Sequence, residues 1–132
     1  MLVMPRALLP LFAAGLLVAC SGGPRELEVV VGEAATERTV RVAPEQAFVV
    51  IVGTNASIGW TWDLTVEPDT AVAEFVDRRY VPDEPVQPGS GGVDRFRFRA
   101  VGAGQTSLRL SRDFRGEGPD RQLTITVVVR AS

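Results

Sequence analysis

Histidine and lysine are both missing from the 132 residues, and cysteine occurs once. Without histidine, Ser–His and Cys–His catalysis and histidine-based zinc sites are excluded. One cysteine cannot close a disulfide within a monomer, so a hydrophobic core must hold the domain. All 14 basic residues are arginine, against 16 acidic ones, for a formal charge of −2. That balance offers no basic field, and nucleic acid is not an expected partner. Carboxylates are what remains for chemistry. Asp83 with Glu84, and Asp113, Glu117 and Asp120, could in principle hold calcium, but such residues more often form a solvated loop surface. No enzyme activity, cofactor or metal is expected.

Long apolar runs are also scarce. The longest, Ala7 to Ala19, follows Arg6, the only charge in that segment. As a helix it rises ~20 Å, short of the roughly 30 Å hydrocarbon core, so it reads as a cleaved export signal rather than a membrane span. It ends in Leu17-Val18-Ala19-Cys20, which resembles the lipobox of bacterial lipoproteins. An ordinary signal peptide or a free thiol are the other readings, but Leu17 sits where ordinary signal peptidase prefers a small residue. The lipobox implies a signal peptide over 1–19 and Cys20 as the lipidated (palmitate-type) first mature residue. Residues 20–26 then form the lipidated Cys and its flexible tether, and 27–132 the domain. Two or more acyl chains anchor stably. Ser21 after the cysteine resembles the outer-membrane sorting choice, which implies a domain facing the periplasm.

From Glu26 onward the apolar residues follow a period of two. Leu27–Val31 and Arg38–Val42 read as short strands, and Gln46–Val52 as a central buried one. Trp60, Trp62, Leu64 and Val66 alternate strictly with Thr61, Asp63, Thr65 and Glu67, the pattern of a strand with one wet face. Residues 71–76 make a weaker strand. Phe96, Phe98 and Ala100 form an inward row between Arg95, Arg97 and Arg99; Thr106, Leu108 and Leu110 form another, and Leu123 to Val129 a last one. With no sustained helical period, the fold class is all-β, an immunoglobulin-like β-sandwich of about seven to eight strands.

If successive strands run in opposite directions, the loops at 53–59, 77–92 and 111–120 emerge at one end. The first contains Asn55-Ala56-Ser57-Ile58-Gly59-Trp60. Asparagine is expected to fold its side chain onto the backbone just ahead, and glycine to supply a positive φ. The second carries Pro82, Pro85 and Pro88, then Gly89-Ser90-Gly91-Gly92; a long loop in a small domain is either a binding loop or a mobile surface segment. The third, Ser111 to Pro119, sets Arg112 near Phe114, a composition found at binding hot spots. Phe114 could instead fold back to cap the sandwich.

Together these segments resemble the chagasin-like inhibitors of papain-family cysteine proteases. That family carries an Asn-Pro-Thr-Thr-Gly-aromatic loop, commonly followed two residues later by Trp. Here Asn55, Gly59, Trp60 and Trp62 match, Ser57 stands for Thr, and Ala56 and Ile58 depart. Gly89, Gly91, Gly92 and Phe96 match the family's Gly-rich run before a strand Phe. Arg112 matches the start of its Arg-Pro-Trp element, with Asp113 in place of Pro and Phe114 in place of Trp. The resemblance spans roughly 44–129.

It implies a monomeric inhibitor that plugs a protease cleft without reacting. Ser57 and Ile58 would lie over the catalytic Cys–His pair, the Gly-rich loop along one side, and Arg112 with Phe114 along the other. Trp62 is expected in the core and Trp60 as a support for the turn. The alternative is a lipid-anchored envelope sandwich that binds another partner or serves a structural role. Asn55-Ala56-Ser57 also spells a glycosylation acceptor, incidental beside a bacterial lipobox.

Overall fold

Apolar residues at alternate positions of most strands form buried rows, and these rows meet between two sheets. The computed structural model describes residues 25–132. Among them run β1 (Leu27–Val31), β2 (Glu37–Val42), β3 (Ala47–Thr54), β4 (Trp60–Val66), β5 (Ala73–Pro82), β6 (Gly92–Ala100), β7 (Gly104–Phe114) and β8 (Pro119–Val129), with a 3-10 turn at Ala56–Ile58. One sheet has the order β1-β3-β6-β5 and the other β2-β8-β7-β4. Signal segment, Cys20 and tether up to residue 24 lie outside the described residues. Glu26, expected in the tether, is instead tied to the sheet, its carboxylate 2.9 Å from Arg97 Nε.

Phe48, Val50, Val52, Trp62, Phe96, Phe98, Leu108, Leu110, Leu123, Ile125 and Val127 are all essentially inaccessible. Phe48 and Phe98 stack with ring centroids 5.2 Å apart. Strand β3 reads as a continuous apolar run because both its faces are covered. Val49 and Ile51, on the face turned away from the core, are also buried. They lie opposite Arg97 and Arg95 in register, whose aliphatic stems can cover apolar surface while their heads reach carboxylates. The arginine stripe is therefore not a free basic face: Arg95 pairs with Glu28, Arg97 with Glu26 and Asp77, and Arg99 with Glu74.

Strand directions alternate throughout. Strand β3 runs parallel to β1 and antiparallel to β6, which is antiparallel to β5. In the other sheet β7 is antiparallel to β4 and β8, and β8 parallel to β2. The links β3–β4, β5–β6 and β7–β8 thus share one end, as expected. The β1–β2 turn, residues 32–36, lies there too, where Arg121 of β8 donates to the Gly32 and Ala35 carbonyls at 2.6 and 2.8 Å.

Two loops are shorter than the sequence implies. Strand β5 runs on through Asp77-Arg78-Arg79 to Pro82, so the β5–β6 link is only 83–91, and Gly92 begins β6, buried and paired with Thr54 and Pro82. A charged string imitates a loop here because β5 is an edge strand, where charges are tolerated and discourage sheet-to-sheet association. Likewise β7 continues through Ser111, Arg112, Asp113 and Phe114, which pair with Asp63, Trp62, Thr61 and Trp60 of β4. Arg112 and Phe114 are strand residues, and the β7–β8 link is only 115–118. Val66, expected to face inward, is 44% exposed because the register slips between Leu64 and Val66.

Candidate functional site

The central turn is built from its own carbonyls outward. Asn55 C=O accepts from both Ile58 N–H and Trp60 N–H, at 3.2 and 3.1 Å, and Ala56 C=O from Gly59 N–H at 3.1 Å. Gly59 closes the turn in the left-handed region, φ 97°. A Cβ there would meet Arg115 Cγ at 2.6 Å, so conformation and space both demand glycine. At the base Thr54, 6% exposed, donates its hydroxyl to the Trp60 carbonyl at 3.1 Å.

Asn55 does not cap the backbone ahead of it. Its Nδ2 reaches across to Gly89 C=O at 3.1 Å, while its Oδ1 accepts from the Ser57 hydroxyl at 2.6 Å. The Gly-rich link is thus fastened to the central turn. Gly91 permits the close approach, since a Cβ there would stand 2.9 Å from the Thr54 carbonyl. Within that link Ser90 Oγ accepts from Gln87 N–H, and Asp83 N–H donates to Gly91 C=O, both at 3.0 Å.

The other side is fastened by Arg115. Its N–H donates to Gly59 C=O at 2.8 Å, its Nε to Ile58 C=O at 3.4 Å, and its guanidinium carbon lies 5.0 Å from the Phe114 ring centre. Phe114 in turn meets Trp60 edge-on, centroids 6.3 Å apart. Both aromatics are half-buried and share the inward row that Leu108, Leu110 and Trp62 begin deeper in the sandwich.

Arg112 is not a presented grip. Its side chain, 13% exposed, forms a fork onto Asp120 and lies 4.4 Å over the Trp60 ring. Hydrogen bonding from Arg112 holds the Asp120 carboxyl below the ordinary carboxylate value of 3.8. Trp62 is buried as expected and donates Nε1–H to Gly53 C=O at 2.8 Å.

A charged group the sequence reading missed lies beneath the turn. Asp94, 2% exposed, shares the inward row of Phe96 and Phe98 and meets Arg78 Nη2 at 3.0 Å. Burial raises its carboxyl above the ordinary value, against the opposing pull of Arg78. Arg78 also reaches Asp63 of β4 at 3.4 Å and so ties the edge strands of the two sheets. A recess of about 290 Å³ opens between Asp94, Arg78, Tyr80, Trp60 and Ala56. The parity of Asp94 with the inward phenylalanines was the signal available.

Gathered at one end, then, are exposed Ala56, Ser57 and Ile58 at the tip, Gly89 and Gly91 on one flank, and Phe114 with Arg115 on the other. Gly92, Arg112 and Trp60 lie lower and support them. Among the described residues no group of three His, Cys, Asp or Glu side chains is placed to hold a metal; Asp120, weighed as a calcium ligand, is occupied by Arg112. The exposed tip is thus braced from both flanks by hydrogen bonds.

Comparison with known proteins gives the domain its family. The pattern of the chagasin family peptidase inhibitor I42 matches residues 41–129, and the chain belongs to that family. It is a peptidase inhibitor and not an enzyme. No curated protein matches the chain. Among solved structures, it is similar to the cysteine protease inhibitor EhICP2 from Entamoeba histolytica, at 21% identity and TM-score 0.62, over 82% of this chain and 100% of that one. It is similar to amebosin to the same extent in coverage, at 22% identity and TM-score 0.61. At these identities the likeness establishes the sandwich.

Proposed function

We propose that the end bearing Ser57 and Ile58 plugs the cleft of a papain-like cysteine protease. The observation that carries this reading is the bracing of the exposed turn from both flanks, by Asn55 to Gly89 and by Arg115 to Ile58 and Gly59. A papain-like cleft holds its substrate extended, with a carbonyl in the oxyanion site. A closed 3-10 turn can fill that space without adopting attack geometry. Ser57 and Ile58 would stand over the catalytic pair, the 83–91 link along one wall, and Phe114 along the other, while Arg115 holds the turn through the Ile58 and Gly59 carbonyls.

Such an interface buries about 800 Å² of the inhibitor. Its affinity depends on how little the turn must order on docking. Ala56 and Asp113 replace prolines of the family pattern, and the inter-loop hydrogen bonds supply stiffness in their place.

The domain acts as a monomer held at a bacterial outer membrane through lipid on Cys20, facing the periplasm. This geometry suits an anchored inhibitor. Leu27, at the start of β1, pairs with Phe48, whereas the three links lie beyond Thr54 at the other end of β3, so the loops would point away from the bilayer.

The test is a titration of papain-like proteases, cleaving a fluorogenic peptide, with residues 21–132. Inhibition at or below micromolar concentration is expected. Its absence would favour a sandwich that binds a different envelope partner. Lipidation is checked separately, by labelled palmitate that enters the parent and not Cys20→Ala.

A further inference from the structure

A loop lying in a protease cleft is exposed to being cut, and the fate of its carbonyls decides whether it is. Of the five carbonyls from Asn55 to Gly59, four have partners. Those of Asn55 and Ala56 accept amides within the turn, that of Ile58 accepts from Arg115 Nε, and that of Gly59 from Arg115 N–H. Ser57 C=O alone, among these, has no partner among the described residues. It also lies at the exposed tip, so it is the carbonyl an oxyanion site would meet.

We propose that Arg115 is a positioning residue that keeps the central turn an inhibitor rather than a substrate. This rests on the cleft-plugging reading and deepens it. The arginine holds the half of the turn that follows Ser57. Its side chain binds Ile58 C=O, its stem lies against Gly59, where a Cβ would meet Cγ at 2.6 Å, and Phe114 steadies its guanidinium. Asn55 fixes the preceding half to Gly89. With both halves held, residues 57 and 58 cannot extend along the cleft.

Released from Arg115, the segment can extend and the Ser57–Ile58 bond becomes open to attack. The cysteine thiolate would bond to the Ser57 carbonyl carbon and the carbon–nitrogen bond to Ile58 would break, the amine taking its proton from the imidazolium. Water would then hydrolyse the thioester, releasing the Ser57 carboxylate and restoring the thiol.

Two variants isolate the bond. In Arg115→Gln the amide nitrogen occupies the place of Nε and keeps a donor without the charge; in Arg115→Met a carbon occupies it and donates nothing. Arg115 has φ 53°, and this backbone cost is common to both variants. The first readout needs no protease: amide hydrogen exchange at Ile58, Gly59 and Trp60. Loss of one hydrogen bond should speed it about tenfold in Arg115→Met and leave Arg115→Gln near the parent. The second incubates each protein with papain and follows residual inhibition and mass. Arg115→Met should lose inhibition with time as it is cut after Ser57, while Arg115→Gln persists.

Unchanged exchange in Arg115→Met overturns the positioning role, whatever any protease does. Faster exchange without cleavage, in a variant that still inhibits, overturns the link to substrate behaviour. Equal loss in both variants would assign the effect to charge and contradict the proposal. A parent that inhibits nothing would refute the cleft-plugging reading and with it the protection from cleavage, while the exchange result would still decide the positioning claim.

Discussion

Arg112 grips Asp120 through two parallel hydrogen bonds, Nε to Oδ1 and Nη2 to Oδ2, both 3.1 Å, while its guanidinium lies over Trp60. Charge-assisted fork pairs of this kind fix direction as well as contribute energy. Here the pair levels Trp60, on which the central turn rests. Its loss should therefore reach inhibition through geometry: Arg112→Ala should weaken inhibition without removing a direct contact. The check is dissociation rate beside thermal midpoint, with the rate rising more than the fall in midpoint accounts for.

The same pair sets an acid limit. The Asp120 carboxyl is depressed, chiefly by its hydrogen bond from Arg112. A group whose folded value lies below its unfolded one adds stability that is present above the ordinary value, 3.8, and lost as pH falls through the folded value. Urea midpoints of the parent and Asp120→Asn should thus differ at pH 6 and converge as pH drops below that value. A constant gap down to strong acid would mean that the pair contributes nothing to folding.

Asp94 should show the opposite slope. Burial raises its carboxyl, so holding it ionised costs stability at neutral pH, and this cost is relieved as pH falls through the folded value. Arg78→Met leaves that buried carboxylate without its cation. The expected loss is about 3 kcal/mol at pH 7, at the low end for a broken buried pair because Arg78 itself is partly exposed. The deficit should shrink on acidification, as the carboxyl takes up a proton. Matched denaturation curves at pH 7 and pH 5 would reveal it.

Trp62 separates core from site. It is inaccessible and its indole N–H is bound to Gly53 C=O at 2.8 Å. Trp62→Ala should cost roughly 3 to 5 kcal/mol. An unchanged denaturation midpoint would contradict the register of β4.

The inward rows of β6, β7 and β8 were legible because each face of these strands keeps one character over several residues, and β3 was legible as a buried strand from its unbroken apolar run. The shared end of the three links followed from strand alternation alone. Loop lengths did not, since Asp77-Arg78-Arg79 and Ser111-Arg112-Asp113 are polar strings, and the partners of Asp77, Arg78 and Arg112 lie on other strands: Arg97, Asp94 with Asp63, and Asp120. Bulges after Phe75 and Leu64 shift parity without any residue that announces them. Asn55 was found as a turn residue, but its partner, Gly89, lies 34 positions away and is invisible to local reasoning. Arg115 gave no signal beyond its place beside Phe114.

Gly59 tests the turn alone. At φ 97°, with Arg115 Cγ in the way, Gly59→Ala is strained in conformation and in space. About 1–2 kcal/mol of left-handed strain corresponds to roughly a tenfold loss of affinity if the turn must re-form on docking. Little of this should appear in the global midpoint, because the turn lies outside the core. A variant that inhibits like the parent would show that the turn's shape is not what the protease reads.

The most direct measurement exchanges residues 55–59 for a flexible Gly-Ser segment of equal length and titrates both proteins against a papain-like protease. The account predicts one-to-one inhibition by the parent and its loss in the exchanged protein, with the denaturation midpoint nearly unchanged. Equal inhibition by the two would place the binding surface elsewhere and contradict the central claim.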